Sequence, residues 1–92
     1  MSSSRKLSAS VDTLVNLVEQ ESVLLDLKSE QYFGLNESGT RMWAALMETR
    51  TVEGAYEKLL AEYDVEPEQL RKDLDDLVEK LLARGLARVD VA

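Results

Sequence analysis

The sequence predicts an α+β fold of the winged-helix kind, a three-stranded antiparallel sheet followed by three helices. Three observations predict it. Between Leu7 and Leu35, short apolar and β-branched runs alternate with polar breaks, the pattern of strands joined by turns. From Asn36 onward, apolar residues recur at helical spacing. Cap and stop residues then divide that second part into three helices.

Leu7 to Val18 is β-leaning, with Val11, Thr13, Val15 and Val18 β-branched and a polar break at Asp12. A first strand is expected around Leu14 to Val18. Glu19 to Ser22 is polar and reads as a turn. Val23 to Leu27 is the second strand, with Val23, Leu25 and Leu27 on one face and Leu24 and Asp26 on the other. Lys28, Ser29 and Glu30 reverse the chain without the Asn-Gly pair of the tightest hairpins. Gln31 to Leu35 returns as the third strand. The segment Val23 to Trp43, VLLDLKSEQYFGLNESGTRMW, thus runs strand, turn, strand, then helix. It leaves a strand at the rim of a small sheet, and such an edge is either protected or used to capture another chain.

Asn36 suits an N-cap, because its side chain accepts from free backbone N–H groups, and Glu37 favours the positive end of the helix dipole. Met42, Trp43, Leu46 and Met47 give the first helix an apolar face. Glu48 to Thr51 connects, and Thr51 caps a second helix. Val52, Ala55, Tyr56, Leu59, Leu60 and Tyr63 form its stripe. Gly54 within it costs about 1 kcal/mol relative to Ala. The third helix starts with Pro67 at N1, where a missing N–H is harmless. Glu66 is its N-cap, Gln69 falls at N3 of a capping box, and Val65 and Leu70 are spaced for a hydrophobic staple. Its stripe is Leu70, Leu74, Leu77, Val78, Leu81 and Leu82. Arg84 suits the negative helix end, and Gly85 is the expected C′ residue. Leu86 to Val91 forms a final strand or simply packs down.

At 92 residues the chain makes one domain, expected over 7–92 behind a polar, Ser-rich tail over 1–6. It contains no cysteine and no histidine. That excludes a disulfide framework, a thiolate metal site and a cysteine nucleophile, and removes the commonest general base and metal ligand. No cofactor, no metal and no enzymatic activity are expected. Asp73, Asp75, Asp76 and Glu79 read as a solvated helix face, since no compact ligand loop accompanies them. Apolar runs are too short to span a membrane, and the tail is not followed by the apolar core of a signal peptide. The expected location is cytoplasmic. With 18 acidic and 11 basic residues, the net charge is −7. That balance disfavours nucleic acid, whose binding rests on phosphate neutralisation, and suits a basic or neutral polypeptide.

The run VLLDLKSEQYFGLNESGTRMW, then TVEGAYEKLLAEYDVEPEQL, then DLDDLVEKLLARGL, resembles the PqqD-like leader-peptide recognition domains. These serve pathways that make ribosomally synthesised, post-translationally modified peptides. The resemblance covers Leu14 to Val89. It rests on Tyr32-Phe33-Gly34-Leu35-Asn36, Trp43, Asp73 with the following Leu stripe, and Gly85-Leu86, as an ordered set. The chain is most similar to the recognition proteins of lasso-peptide pathways, where separate proteins act as leader peptidase and macrocyclase.

The resemblance implies that a precursor's leader adds as an antiparallel strand to Gln31–Leu35 and packs against the third helix. The implied peptide-binding residues are Leu25, Gln31, Tyr32, Phe33, Gly34 and Leu35, with Asp73, Asp76, Leu77, Lys80, Leu81 and Arg84 from the third helix. Arg71 and Asp75 lie on that helix's other flank. Tyr32 and Phe33 point to opposite faces of a strand, so one is expected under the helices and the other at the groove. Trp43 is expected in the core. The competing reading is a winged-helix DNA-binding regulator, which needs basic and amide side chains on a recognition helix. The second helix offers only Lys58.

Overall fold

A computed structural model describes residues 5–91. The chain runs β1 (Arg5–Ala9), β2 (Thr13–Val18), β3 (Glu21–Asp26), β4 (Gln31–Leu35), α1 (Glu37–Thr49), α2 (Val52–Glu62), α3 (Pro67–Ala83) and β5 (Ala87–Val91). The expected three-stranded antiparallel sheet followed by three helices is present as β2-β3-β4 and α1 to α3. A second sheet, β1 paired antiparallel with β5, was not foreseen. Arg5 and Lys6, expected in the tail, stand in β1. The rest of that expected tail lies outside the described residues.

The turns are set by local chemistry. Between β2 and β3 only Glu19 and Gln20 remain unpaired, because Glu19 takes a positive φ of 58° and reverses the chain at once. Glu21 and Ser22, expected in the turn, therefore belong to β3. At the other end β3 stops at Asp26, one residue short of the expected Leu27. The Asp26 carboxylate accepts from the Lys28 N–H at 3.0 Å and from the Ser29 hydroxyl at 3.0 Å. Such an Asx-type turn draws the chain out of the ladder.

Each helix begins where a cap residue stands. Asn36 Oδ1 accepts from the Gly39 N–H at 2.8 Å, and Thr51 Oγ1 accepts from the Gly54 N–H at 2.9 Å. Arg50, in the left-handed region at φ 69°, ends α1 and leads directly to that second cap. Glu66 makes no side-chain cap bond at the start of α3. Gln69 does not close a capping box. Its amide instead donates to Asp73 Oδ1 at 2.8 Å. The end of α3 is a Schellman motif, with Leu86 N–H bonded to the Leu81 carbonyl, Gly85 N–H to the Leu82 carbonyl, and Gly85 at φ 72°.

The core joins both sheets to the helices. Leu24, Leu35, Trp43, Leu46, Leu59, Leu74, Leu77 and Leu81 are buried, together with Leu7, Leu86 and Ala87 from the terminal sheet. In the register of β3 with its neighbours, Leu24 lies opposite Val15 and Phe33, and Ser22 opposite Leu17 and Leu35. Residues directly opposite share a face. The helices therefore cover the face carrying Ser22, Leu24, Phe33 and Leu35. The buried Ser22 hydroxyl shares a 2.8 Å hydrogen bond with the Thr40 hydroxyl, tying β3 to α1. Leu82, expected in the stripe of α3, is 39% exposed and outside the core.

Candidate functional site

β4 is an outer strand, paired through β3 on one side only among the described residues. Its free edge lies beside α3 because Leu35 is buried in the core and Asn36 at once turns the chain into α1. Gly39 permits this tight corner. A Cβ there would meet Leu35 Cδ2 at 3.2 Å and Asn36 Oδ1 at 3.3 Å.

Between β4, the first turns of α1 and one flank of α3 runs a cleft of about 540 Å³. β4 contributes Phe33, Gly34 and Leu35, and α1 contributes Ser38, Gly39 and Met42. Asp73, Asp76, Leu77 and Lys80 form the α3 wall. Phe33, Leu35, Met42 and Leu77 supply the apolar part of a lining of mixed polarity, and Asp73, Asp76 and Lys80 give it a charged rim. A second hollow of about 520 Å³ shares Ser38, Met42 and Asp73 and continues towards Leu59, Tyr63, Val65 and Leu70. The two join along α1.

Arg84 reaches back from the end of α3, its guanidinium 5.1 Å from the centroid of the Phe33 ring. This cation–π contact holds Phe33 towards the helix. The opposite flank of α3 is engaged elsewhere. Arg71 pairs with Glu53 of α2 at 2.6 Å and with Asp75 at 3.6 Å, and lies over the Tyr56 ring at 5.7 Å.

The residues singled out in the sequence divide into three groups. Phe33, Gly34, Leu35, Asp73, Asp76, Leu77 and Lys80 meet in the cleft. Arg84 stands beside it through Phe33, and Gln31 is exposed where β4 begins. Leu25 and Tyr32 do not meet them. They sit opposite one another on the outer face of the sheet, where Tyr32 is 73% exposed. Leu81 is also no part of the cleft, because it is fully packed in the core. Its helical phase turns it under the sheet rather than to the margin. Ser38, Gly39 and Met42 escaped the sequence reading. Met42 reads as an ordinary core position in the stripe of α1, and nothing in one sequence distinguishes a half-buried stripe residue from a buried one.

An unpaired strand edge beside a trough of mixed polarity is a geometry that suits an extended chain. The edge offers backbone N–H and C=O groups, and alternate side chains of an added strand point to one face. Among the described residues no group of three His, Cys, Asp or Glu is placed to hold a metal ion. No helix among them is long and apolar enough to cross a membrane.

No curated protein matches the chain. Two solved structures share its fold over most of both chains. One is TbiB1 in complex with the TbiA(β) leader peptide, with a TM-score of 0.80 and 30% identity over 91% of this chain and 98% of that one. The other is a lasso peptide synthetase B1 complexed with the leader peptide, with a TM-score of 0.79 and 25% identity over 90% of this chain and 98% of that one. The family model described as coenzyme PQQ synthesis protein D matches residues 21–87, from the start of β3 to the start of β5, and the chain belongs to this PqqD family.

Proposed function

We propose that this protein is a non-catalytic, cytoplasmic recognition domain for the leader region of a ribosomally made precursor peptide. The leader adds as an antiparallel strand to β4 and packs its inward side chains against α3. The protein then delivers the precursor to a leader peptidase and a macrocyclase of a lasso-peptide-type pathway. The observation that carries this reading is the free β4 edge beside the α3 cleft, in a fold shared with two leader-bound proteins.

The energetics favour one mode of recognition. Each backbone bond contributes about 0.5–1.5 kcal/mol net. Ordering a flexible leader costs about 2–5 kcal/mol. Main-chain pairing therefore sets register, and one or two apolar side chains seated against Phe33, Leu35, Met42 and Leu77 supply the surplus. Asp73 and Asp76 meet lysines or backbone N–H groups of the leader. Outward-facing leader side chains lie next to Tyr32, which explains a large exposed aromatic on that face. Holding leader and enzyme on one platform raises the effective concentration of the core peptide. The absence of cysteine and histidine supports a role without catalysis.

DNA is disfavoured by the net charge of −7. Lys58 is moreover held by Glu62 at 2.8 Å and Glu48 at 3.4 Å, which raise its pKa and occupy its charge.

The test titrates fluorescent leader peptide and duplex DNA against the protein at physiological salt. Leader binding in the micromolar range or tighter, without DNA binding, is expected. Asp73→Lys is expected to weaken the leader by about tenfold, or ~1.4 kcal/mol. Arg71→Glu is expected to leave affinity unchanged. DNA binding without leader binding sinks the reading. Loss on Arg71→Glu but not on Asp73→Lys moves the leader to the other flank.

A further inference from the structure

β2 is apolar on both faces and covered on neither. Leu14 and Val18 on the outer face are 53% and 57% exposed, and Val15 and Leu17 on the other face are 47% and 63% exposed. β2 is also the outer strand opposite β4, so one of its backbone edges has no strand partner among the described residues. Such edges are normally shielded by lysine, proline, a bulge or an inward-pointing charge. The strand TLVNLV contains none of these residues.

Its sequence suggests what pairs with its open edge. Leu14-Val15-Asn16-Leu17-Val18 is symmetric in character about Asn16. Across an antiparallel pair, opposed residues share a face, so the register moves only in steps that preserve the faces. A two-fold axis at Asn16 sets Leu14 against Val18 of the second copy, Val15 against Leu17, and Asn16 against Asn16. It also sets Thr13 against Glu19 and Asp12 against Gln20, so no acid opposes an acid. The next step in either direction puts Asn16 against Leu14 or Val18, and sets Asp12 or Glu19 against a valine. One register is thus selected, by pair matching of the kind that stabilises sheets.

We propose that β2 pairs antiparallel with β2 of a second copy of this chain about a two-fold axis at Asn16. The product is a six-stranded sheet with a β4 edge at each rim. The contact is isologous and closes on itself, which ends assembly at the dimer. Both β4 edges stay free, so pairing and leader binding are compatible, and the dimer carries two leaders.

The chain has no cysteine, so Asn16→Cys places one thiol per copy on the axis. Opposed Cα atoms in antiparallel strands are about 4.5–5.5 Å apart, within disulfide reach. Mild oxidation of the full-length Asn16→Cys protein is expected to give a covalent dimer of twice 10.3 kDa. Thr13→Cys, in the same strand but opposite Glu19, is expected to give no covalent dimer. In sedimentation equilibrium the wild-type mass should rise with concentration from 10.3 kDa towards double. Leu17→Lys should hold it at the monomer with unchanged circular dichroism, and excess leader should leave the dimer intact. The proposal is overturned by a wild-type chain that stays monomeric to millimolar concentration, or by a dimer that survives Leu17→Lys. It is equally overturned by equal cross-linking of both cysteine variants, or by a dimer that leader dissolves, which would place the contact on β4. Leader binding measured on Leu17→Lys separates the two questions, because its failure in wild type and variant alike bears on the recognition reading alone.

Discussion

Gly54 and Gly85 are the same residue for different physical reasons. A Cβ on Gly54 would stand 2.8 Å from Thr49 Cβ and 2.8 Å from Thr51 Oγ1. Neither neighbour yields easily. The Thr49 hydroxyl donates to the Ala45 carbonyl at 2.8 Å, and Thr51 Oγ1 is the cap acceptor. Gly85 has open space around it but sits at φ 72°. Gly→Ala in a helix ordinarily stabilises by about 1 kcal/mol. Gly54→Ala is expected to destabilise instead, by about 1–3 kcal/mol from overpacking. Gly85→Ala is expected to cost about 1–2 kcal/mol from left-handed backbone strain. Urea midpoints decide both, and a raised midpoint for Gly54→Ala would contradict the crowding argument. Gly85 was legible in the sequence, because it follows the last turn of an apolar stripe. Gly54 read only as a cost, since the crowding arises from the fold-back of Thr49 and Thr51 across the α1–α2 link.

The elements differ in how locally they are specified. α1 starts at Asn36 because one side chain satisfies an otherwise free N–H, a local event that a sequence displays. Asn36→Ala is expected to cost about 1 kcal/mol. A denaturation curve superposing on wild type would show that the corner is held by Leu35 packing alone. That Tyr32 and Phe33 face opposite ways was equally legible, from the two-residue period of a strand. Which of them turns inward was not, because it depends on where the helices cross the sheet. The same limit applies to α3. Its stripe from Leu70 to Leu81 is visible in sequence, yet which flank meets β4 depends on how that stripe packs in the fold, with Arg71 on the other flank reaching Glu53 and Tyr56 of α2. β1 lies at the far extreme. Arg5 to Ala9 shows little strand signal, and it is a strand because β5, some eighty residues later, pairs with it.

Across the whole molecule, the terminal sheet locks the helical layer. Leu7 is buried with Leu86 and Ala87, and the Leu7 N–H donates to the Arg50 carbonyl at 2.7 Å. Ser10 and Thr13 hydroxyls bond the Gly85 and Leu86 carbonyls, so the link between the sheets is fastened to the end of α3. Leu7→Ala is expected to lower stability by about 2–5 kcal/mol. Leader affinity per folded molecule should be unchanged, because the cleft lies on other elements. Unfolding by guanidinium with a leader titration on the folded fraction checks both, and a variant of wild-type stability would show that β1 is not part of the cooperative unit. By itself the sequence determined the run of three strands and three helices from β2 to α3, the caps at Asn36 and Thr51, the stop at Gly85, and the absence of cysteine and histidine chemistry. Periodicity, capping and composition are properties of neighbouring residues. Only the tertiary structure decided that β1 and β5 pair, that Leu25, Tyr32 and Leu81 stand outside the cleft, and that Met42 lines it. Those depend on distances between segments far apart in the chain, which packing fixes and local pattern does not encode.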